Sequence, residues 1–91
     1  MNDEVFEIPP SNSLDLHHFK PKEVKVLIDE FIWSCQQAGI LEAEIIHGKG
    51  VGNLRELSHA VLKKHEKVKS FQLGGAGNSQ NWGKTSFVLI D

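Results

Sequence analysis

The chain has 91 residues, of which 40% are apolar and 24% charged, with a formal net charge of −2; that size holds one domain, leaves much of the surface in water, and argues against a deep walled cavity or a fibrous architecture. Cys35 is the lone cysteine, which excludes an internal disulfide and the usual structural zinc sets and fits a reducing compartment. The opening Met1-Asn2-Asp3-Glu4-Val5-Phe6-Glu7 lacks the basic start and apolar run of a secretory signal, and no stretch is long enough to span a membrane, so a cytoplasmic protein with no membrane partner is expected.

Residues 1–13 contain Asp3, Glu4 and Glu7 and no basic residue, which leaves ten basic against nine acidic residues in the remainder. A surplus of one is a weak electrostatic footprint for a nucleic-acid binder, so any such role rests on local geometry. The opening ends in Pro9-Pro10-Ser11-Asn12-Ser13, a composition that resists helix and central strand, and residues 1–13 read as an arm or linker. Residues 14–91 read as one domain.

Leu14-Asp15-Leu16-His17 alternates apolar and polar, the period of a strand that buries Leu14 and Leu16 and turns Asp15 and His17 to the other face. Pro21 suits a first helical turn, and Val24, Leu27, Ile28, Phe31, Ile32 and Cys35 recur at helical spacing up to Gly39. Residues 40–46, rich in β-branched side chains, read as a second strand running into His47-Gly48-Lys49-Gly50-Val51-Gly52. Asn53 then serves as an N-cap with Glu56 three residues on, and Leu54, Leu57, Val61 and Leu62 mark the buried stripe of a second helix. Residues 68–73 and 85–90 read as the last two strands, separated by a glycine-rich stretch, residues 74–84. The order βαβαββ favours parallel pairing through crossovers, hence a two-layer α/β sandwich with a four-stranded mixed sheet and two helices.

The turn after the second strand is the first place to expect chemistry. Its glycines let the backbone approach a ligand, the following helix offers unpaired N–H groups and a positive partial charge, and Lys49 adds a full charge, together suiting a phosphate. The G-x-G-x-G spacing of Gly48, Gly50 and Gly52 is not the dinucleotide fingerprint. A P-loop ending in Gly83-Lys84-Thr85 would need glycine where Asn78 stands, and would have to open a helix rather than a strand, so a nucleotide triphosphate is not an expected partner.

Asp15 and His17 suit acid–base work, since imidazole titrates near neutrality and a neighbouring carboxylate orients it; the alternative is a satisfied polar strand end. His47 comes near His17 if the first two strands are adjacent with their C-terminal ends together, the edge where open α/β sheets place ligands. His18 reads as a loop side chain, His59 and His65 as solvated helix residues, and Trp33 as partly buried packing. No His-x-x-x-His pair supports a tight metal site. Lys63, Lys64, Lys67 and Lys69 around Glu66 read as a solvated face or as a contact to a phosphate backbone. Trp82 either stacks on a base or covers the sheet edge.

Leu14-Asp15-Leu16-His17, His47-Gly48-Lys49-Gly50 and Gly83-Lys84-Thr85 together resemble the Smr (small MutS-related) domain family in order and spacing, over roughly residues 14–90. The family's glycine after the first motif is His18 here, and Gln80 and Asn81 stand where its closing glycine doublet falls. The resemblance implies a fold like the C-terminal domain of bacterial translation initiation factor three, and a nucleic-acid endonuclease, a phosphodiester hydrolase that nicks DNA or cleaves RNA. It makes Asp15, His17 and His47 the catalytic candidates. Gly48, Lys49, Gly50, Gly52 and Asn53, with Trp82, Gly83, Lys84 and Thr85, become the phosphate- or nucleic-acid-binding set. It leaves the cofactor open between none and magnesium or manganese. Larger members join this domain to an ATPase or other partners; this length accommodates the Smr unit alone.

In the mechanism this implies, His17, oriented by Asp15, activates a water or a ribose hydroxyl, while the 48–53 backbone and Lys49 hold the scissile phosphate. The rival reading is a module that grips a nucleic acid or ribosome through the same surface without cutting, and a third is a protein-interaction domain docking through Val5, Phe6 and Ile8. Retention of Asp15 and His17 favours the enzyme, whereas near-neutral charge and the altered glycines favour the others.

Overall fold

The computed structural model describes residues 12–48, 53–74 and 83–91. The arm up to Ser11, the turn residues Lys49, Gly50, Val51 and Gly52, and the glycine-rich stretch 75–82 with Trp82 lie outside them. The elements are β1 (Ser13–Asp15), a 3-10 turn (Pro21–Glu23) leading into α1 (Val24–Gln37), β2 (Glu42–Ile46), α2 (Asn53–Lys64), β3 (Val68–Leu73) and β4 (Lys84–Leu89), the expected βαβαββ order.

The strands lie in the order β1-β2-β4-β3. β1 pairs with β2 in parallel, Leu14 beside Ile45 and Asp15 beside Ile46, while β4 is antiparallel to both of its neighbours. The C-terminal ends of β1, β2 and β3 therefore meet at one edge, where β4 begins. Cross-strand pairs fix the faces: Ile45 stands opposite Thr85, and Ala43 opposite Phe87, with Phe71 on the far side of Phe87. These side chains point to the helices, where Leu16, Val24, Ile28, Ile32, Cys35, Leu62 and Leu89 complete the buried core. Phe31 meets Phe87 edge-on at 6.2 Å. The opposite face carries Glu44, Lys84, Ser86 and Gln72, and no helix covers it among the described residues.

The buried stripe of α1 falls on Val24, Ile28, Ile32 and Cys35, with Leu27 and Phe31 beside it. Gly39, at φ +75°, ends the helix in the left-handed conformation that glycine tolerates, and the Ile40 N–H returns to the Cys35 carbonyl at 2.8 Å. Ile40 thus closes a helix, and β2 starts at Glu42, two residues later than the apolar run suggests. In α2 the stripe includes Ser58, fully buried; its hydroxyl is satisfied within the helix by the Leu54 carbonyl at 2.7 Å.

Trp33 is corrected: it is 63% exposed, as is Val26 at 58%. Both face directly away from the α1 stripe, and that phase outweighs their apolar character. His65 is corrected too, because α2 ends at Lys64. Its ring, 18% exposed, faces Asp29 at 3.6 Å, and its Nδ1 accepts the Lys67 N–H at 3.1 Å.

Ile45 is fully buried on a central strand. Ile45→Ala is expected to lower the unfolding free energy by roughly 2–5 kcal/mol, read by denaturant titration.

Candidate active site

Four chain segments converge on the edge where the parallel strands end. β1 ends at Asp15, two residues short of the expected strand, because the Asp15 side chain takes over the hydrogen bonding. Its Oδ1 accepts the His17 backbone N–H at 2.8 Å and stands 3.2 Å from His17 Nδ1. A short carboxylate bonding the backbone two residues on makes a turn that competes with the ladder. The Leu16 N–H still reaches the Ile46 carbonyl at 2.8 Å, so the segment stays anchored to β2. The His17 backbone N–H is the first cause of an Asp15 carboxyl held below its ordinary value, and the His17 and His18 imidazoles add to it. Asp15 therefore stays ionised and orients the imidazole through Nδ1. Both side chains are more than half exposed.

From β2 the chain passes to His47 and Gly48, whose N–H groups both donate to the Gly83 carbonyl, at 2.9 and 2.8 Å. Gly48 adopts φ +85°, and a Cβ built there would lie 3.7 Å from His17 Nε2. The remote nitrogen of His17 thus faces the space beside Gly48 that a side chain there would occupy. The expected neighbourhood of the first motif and the glycine turn is what the parallel β1–β2 pairing produces.

His47 is 5% exposed and Thr85 fully buried. The Thr85 hydroxyl lies between two imidazoles, 2.8 Å from His47 Nε2 and 2.6 Å from His59 Nε2. His47 Nδ1 faces the Gly48 carbonyl at 3.2 Å. A carbonyl only accepts, so Nδ1 of His47 carries the proton and its Nε2 accepts from the Thr85 hydroxyl. That hydroxyl has one proton, so its oxygen accepts from His59 Nε2–H. The bonds run one way, from His59 through Thr85 to His47 and on to Gly48. His59 also packs at a 58° tilt against Phe71 with centroids 5.1 Å apart and meets His47 edge-on at 6.1 Å.

His59 as a solvated helix residue is therefore a further correction. It sits on the flank of the α2 stripe, four residues after Arg55, and strand order alone brings β4 under it. Burial pushes the pKa of both imidazoles down, and the Arg55 charge adds to this in each, as does His47 for His59. Arg55, in the first turn of α2, thus has its charge directed at the site, a role that sequence reading missed. Its one signal was its position just behind the glycine turn.

The remaining candidates are placed differently. Asn53 opens α2 at an exposed position. Lys84 lies on the open face, in line with Ile46 and Asp15, and its ammonium is 2.9 Å from Glu44, whose other oxygen accepts from Ser13 at 3.3 Å. Lys49, Gly50, Gly52 and Trp82 fall outside the described residues. Among the described residues no three of His, Cys, Asp and Glu converge to hold a metal ion.

Fold and site together define a two-layer α/β domain with an exposed Asp–His couple resting on a glycine turn, backed by a buried His–Thr–His array. Residues 14–89 match the Smr domain family, and the chain belongs to that family. It is 37% identical over 71 residues to the endonuclease MutS2 of Clostridium novyi, spanning 78% of this chain and 9% of that protein. With the endonuclease MutS2 of Brevibacillus brevis it shares 42% over 64 residues, 70% of this chain and 8% of that protein. Among solved structures it resembles the Smr domain of Thermus thermophilus MutS2, with a TM-score of 0.78 at 25% identity, covering 87% of this chain and 98% of that one. It shares the fold of YdaL, a stand-alone small MutS-related protein from Escherichia coli, with a TM-score of 0.75 at 22% identity, covering 94% of this chain and 70% of that one.

The buried pair makes stability depend on pH. Native His47 and His59 resist protonation below the ordinary 6.5, so just under that value the unfolded chain binds more protons than the folded one. Their contribution is complete above about pH 6.5 and is lost as the pH falls through the window between 6.5 and the lowered native values. The melting temperature is expected to drop between pH 7.5 and 5.5, and to drop less in His59→Phe, as calorimetry at a series of pH values would record. Gly48→Ala, forced into the left-handed region, is expected to cost about 1–2 kcal/mol by denaturant titration.

Proposed function

We propose that this chain is a nucleic-acid endonuclease of the Smr type, a phosphodiester hydrolase acting on DNA or RNA. The observation that carries the reading is the His17 imidazole: held by Asp15 at Nδ1, with its opposite nitrogen toward the open side of Gly48, at the exposed edge where β1 ends. A general base needs one nitrogen anchored and the other presented to the reactant. The name endonuclease borne by the MutS2 relatives supports the same reading.

In this scheme His17 Nε2 takes the proton from a water or from a ribose 2′-hydroxyl as that oxygen bonds to phosphorus, and the bond from phosphorus to the leaving oxygen breaks. Asp15 orients the imidazole and stabilises the cation it becomes. The 48–53 backbone, Lys49 and the N-terminal turn of α2 meet the charge building on the phosphate, and Arg55 supplies a further cation. His47, with both nitrogens engaged and its ring buried, holds the Gly48 backbone in place rather than meeting the phosphate. Trp82, Gly83 and Lys84 complete the surface, Lys84 on exchanging Glu44 for a phosphate, whereas the Thr85 hydroxyl, fully buried, is corrected from a binding to a supporting group. The magnesium or manganese question goes to a chelator comparison. The lone Cys35 is a buried free thiol, and among the described residues no helix is long and apolar enough to cross a membrane. Both fit work in the cytoplasm.

The Lys84–Glu44 pair favours a second reading, since it neutralises one of the few cations on this side of the sheet. In that reading the chain is a module that holds a nucleic acid or a ribosome without cutting.

Cleavage of labelled RNA, single-stranded DNA and branched DNA by the purified chain, with and without chelator, separates the two. His17→Ala is expected to lower the rate by about 10²- to 10⁴-fold while binding persists. A 2′,3′-cyclic phosphate end identifies the ribose hydroxyl as nucleophile. Binding that weakens steeply with salt, without cutting and indifferent to His17→Ala, would establish the module instead.

A further inference from the structure

The His17 site rests on a backbone whose position is set from beneath. His47 Nδ1 faces the Gly48 carbonyl, and His17 Nε2 lies on the side of Gly48 where a side chain would stand. The Gly48 carbonyl holds one side of the His47 ring at Nδ1, and the other side depends on what Nε2 bonds to. Its partner, the Thr85 hydroxyl, has one proton and is fully buried, beyond the reach of water. A buried hydroxyl rotor is set by whichever neighbour donates to its oxygen, and here that neighbour is His59, at 2.6 Å. The His59 ring is itself held by Phe71.

We propose that His59, one turn beyond Arg55 in α2, is a positioning residue for the His17 site: by donating to Thr85 it sets the hydroxyl that orients His47, and so fixes Gly48 where His17 rests. This proposal rests on the nuclease reading for its catalytic consequence and on the hydrogen-bond chain alone for its structural one. Removing only the donor leaves an unpaired lone pair on Thr85 and a hydroxyl able to rotate away from His47.

Two variants isolate the donor. His59→Phe keeps a ring to stack on Phe71 and removes the N–H; His59→Gln keeps an N–H that reaches Thr85. Imidazole ¹H–¹⁵N spectra of the wild-type chain are expected to give the Nε2–H tautomer for His59 and the Nδ1–H tautomer for His47. In His59→Phe the Gly48 amide and His17 ring resonances shift, and cleavage slows on the order of 10- to 100-fold with KM little changed. His59→Gln recovers most of the rate. A folded His59→Phe chain whose Gly48 and His17 signals coincide with wild type, or which cuts within twofold of it, overturns the proposal, as does the opposite tautomer at either imidazole. Should His59→Phe fail to fold, Thr85→Val, which removes the hydroxyl at similar volume, is read the same way against Thr85→Ser. A wild-type chain that cuts no nucleic acid overturns the nuclease reading alone, and the spectra then decide the positioning role.

Discussion

One hydroxyl group sets the terms for the functional edge. Thr85 is on a central strand, flanked by β2 on one side and β3 on the other, and faces the helices. A hydroxyl sealed there has to find its partners within the protein, because an unmet buried polar group costs about 1–3 kcal/mol. It meets the segment leaving β2 through His47 and the second turn of α2 through His59. Three elements far apart in sequence are thereby tied at a single oxygen. The antiparallel insertion of β4 between β2 and β3 makes this possible, since it brings the start of the last strand beneath the exits of the parallel pair.

The arrangement sorts the histidines into two tiers. The inner tier, the buried His47 and the partly buried His59, resists protonation through burial and the nearby Arg55 charge, and is engaged in directional bonds. The outer tier, His17 with Asp15, is wet and charge-assisted. Each suits its place: a buried imidazole pair that took up protons would set two cations about one hydroxyl in a low-dielectric layer, while an exposed imidazole has to gain and lose a proton readily to act as a base. Gly48 is the boundary between the tiers, and its left-handed backbone, φ +85°, is the conformation that favours glycine there.

Much of this frame is written in local patterns. β3 spans the residues expected of it, 68–73, the α1 stripe is the one its spacing indicates, and the adjacency of β1 and β2 follows from a helical crossover between short strands. What is not local is not legible. His59 looks like any polar residue flanking an apolar stripe, and only the order β1-β2-β4-β3 brings Thr85 to it. The pairing of Lys84 with Glu44 depends on the same register. The end of β1 escaped for another reason: the Asp15 carboxylate accepts the backbone N–H of His17, two residues on, an event alternation does not encode. Trp33 was readable, because its phase on α1 opposes the stripe, but its apolar character argued the other way.

The strand that carries Asp15 is the shortest in the sheet, three residues at an edge, paired on one side only. Resistance to local opening depends on buried contacts and ladder bonds, and a short edge strand has few of either. The end of β1 is therefore expected to open ahead of the central strands, so that on warming the Asp15–His17 couple loosens while β2 and β4 remain paired.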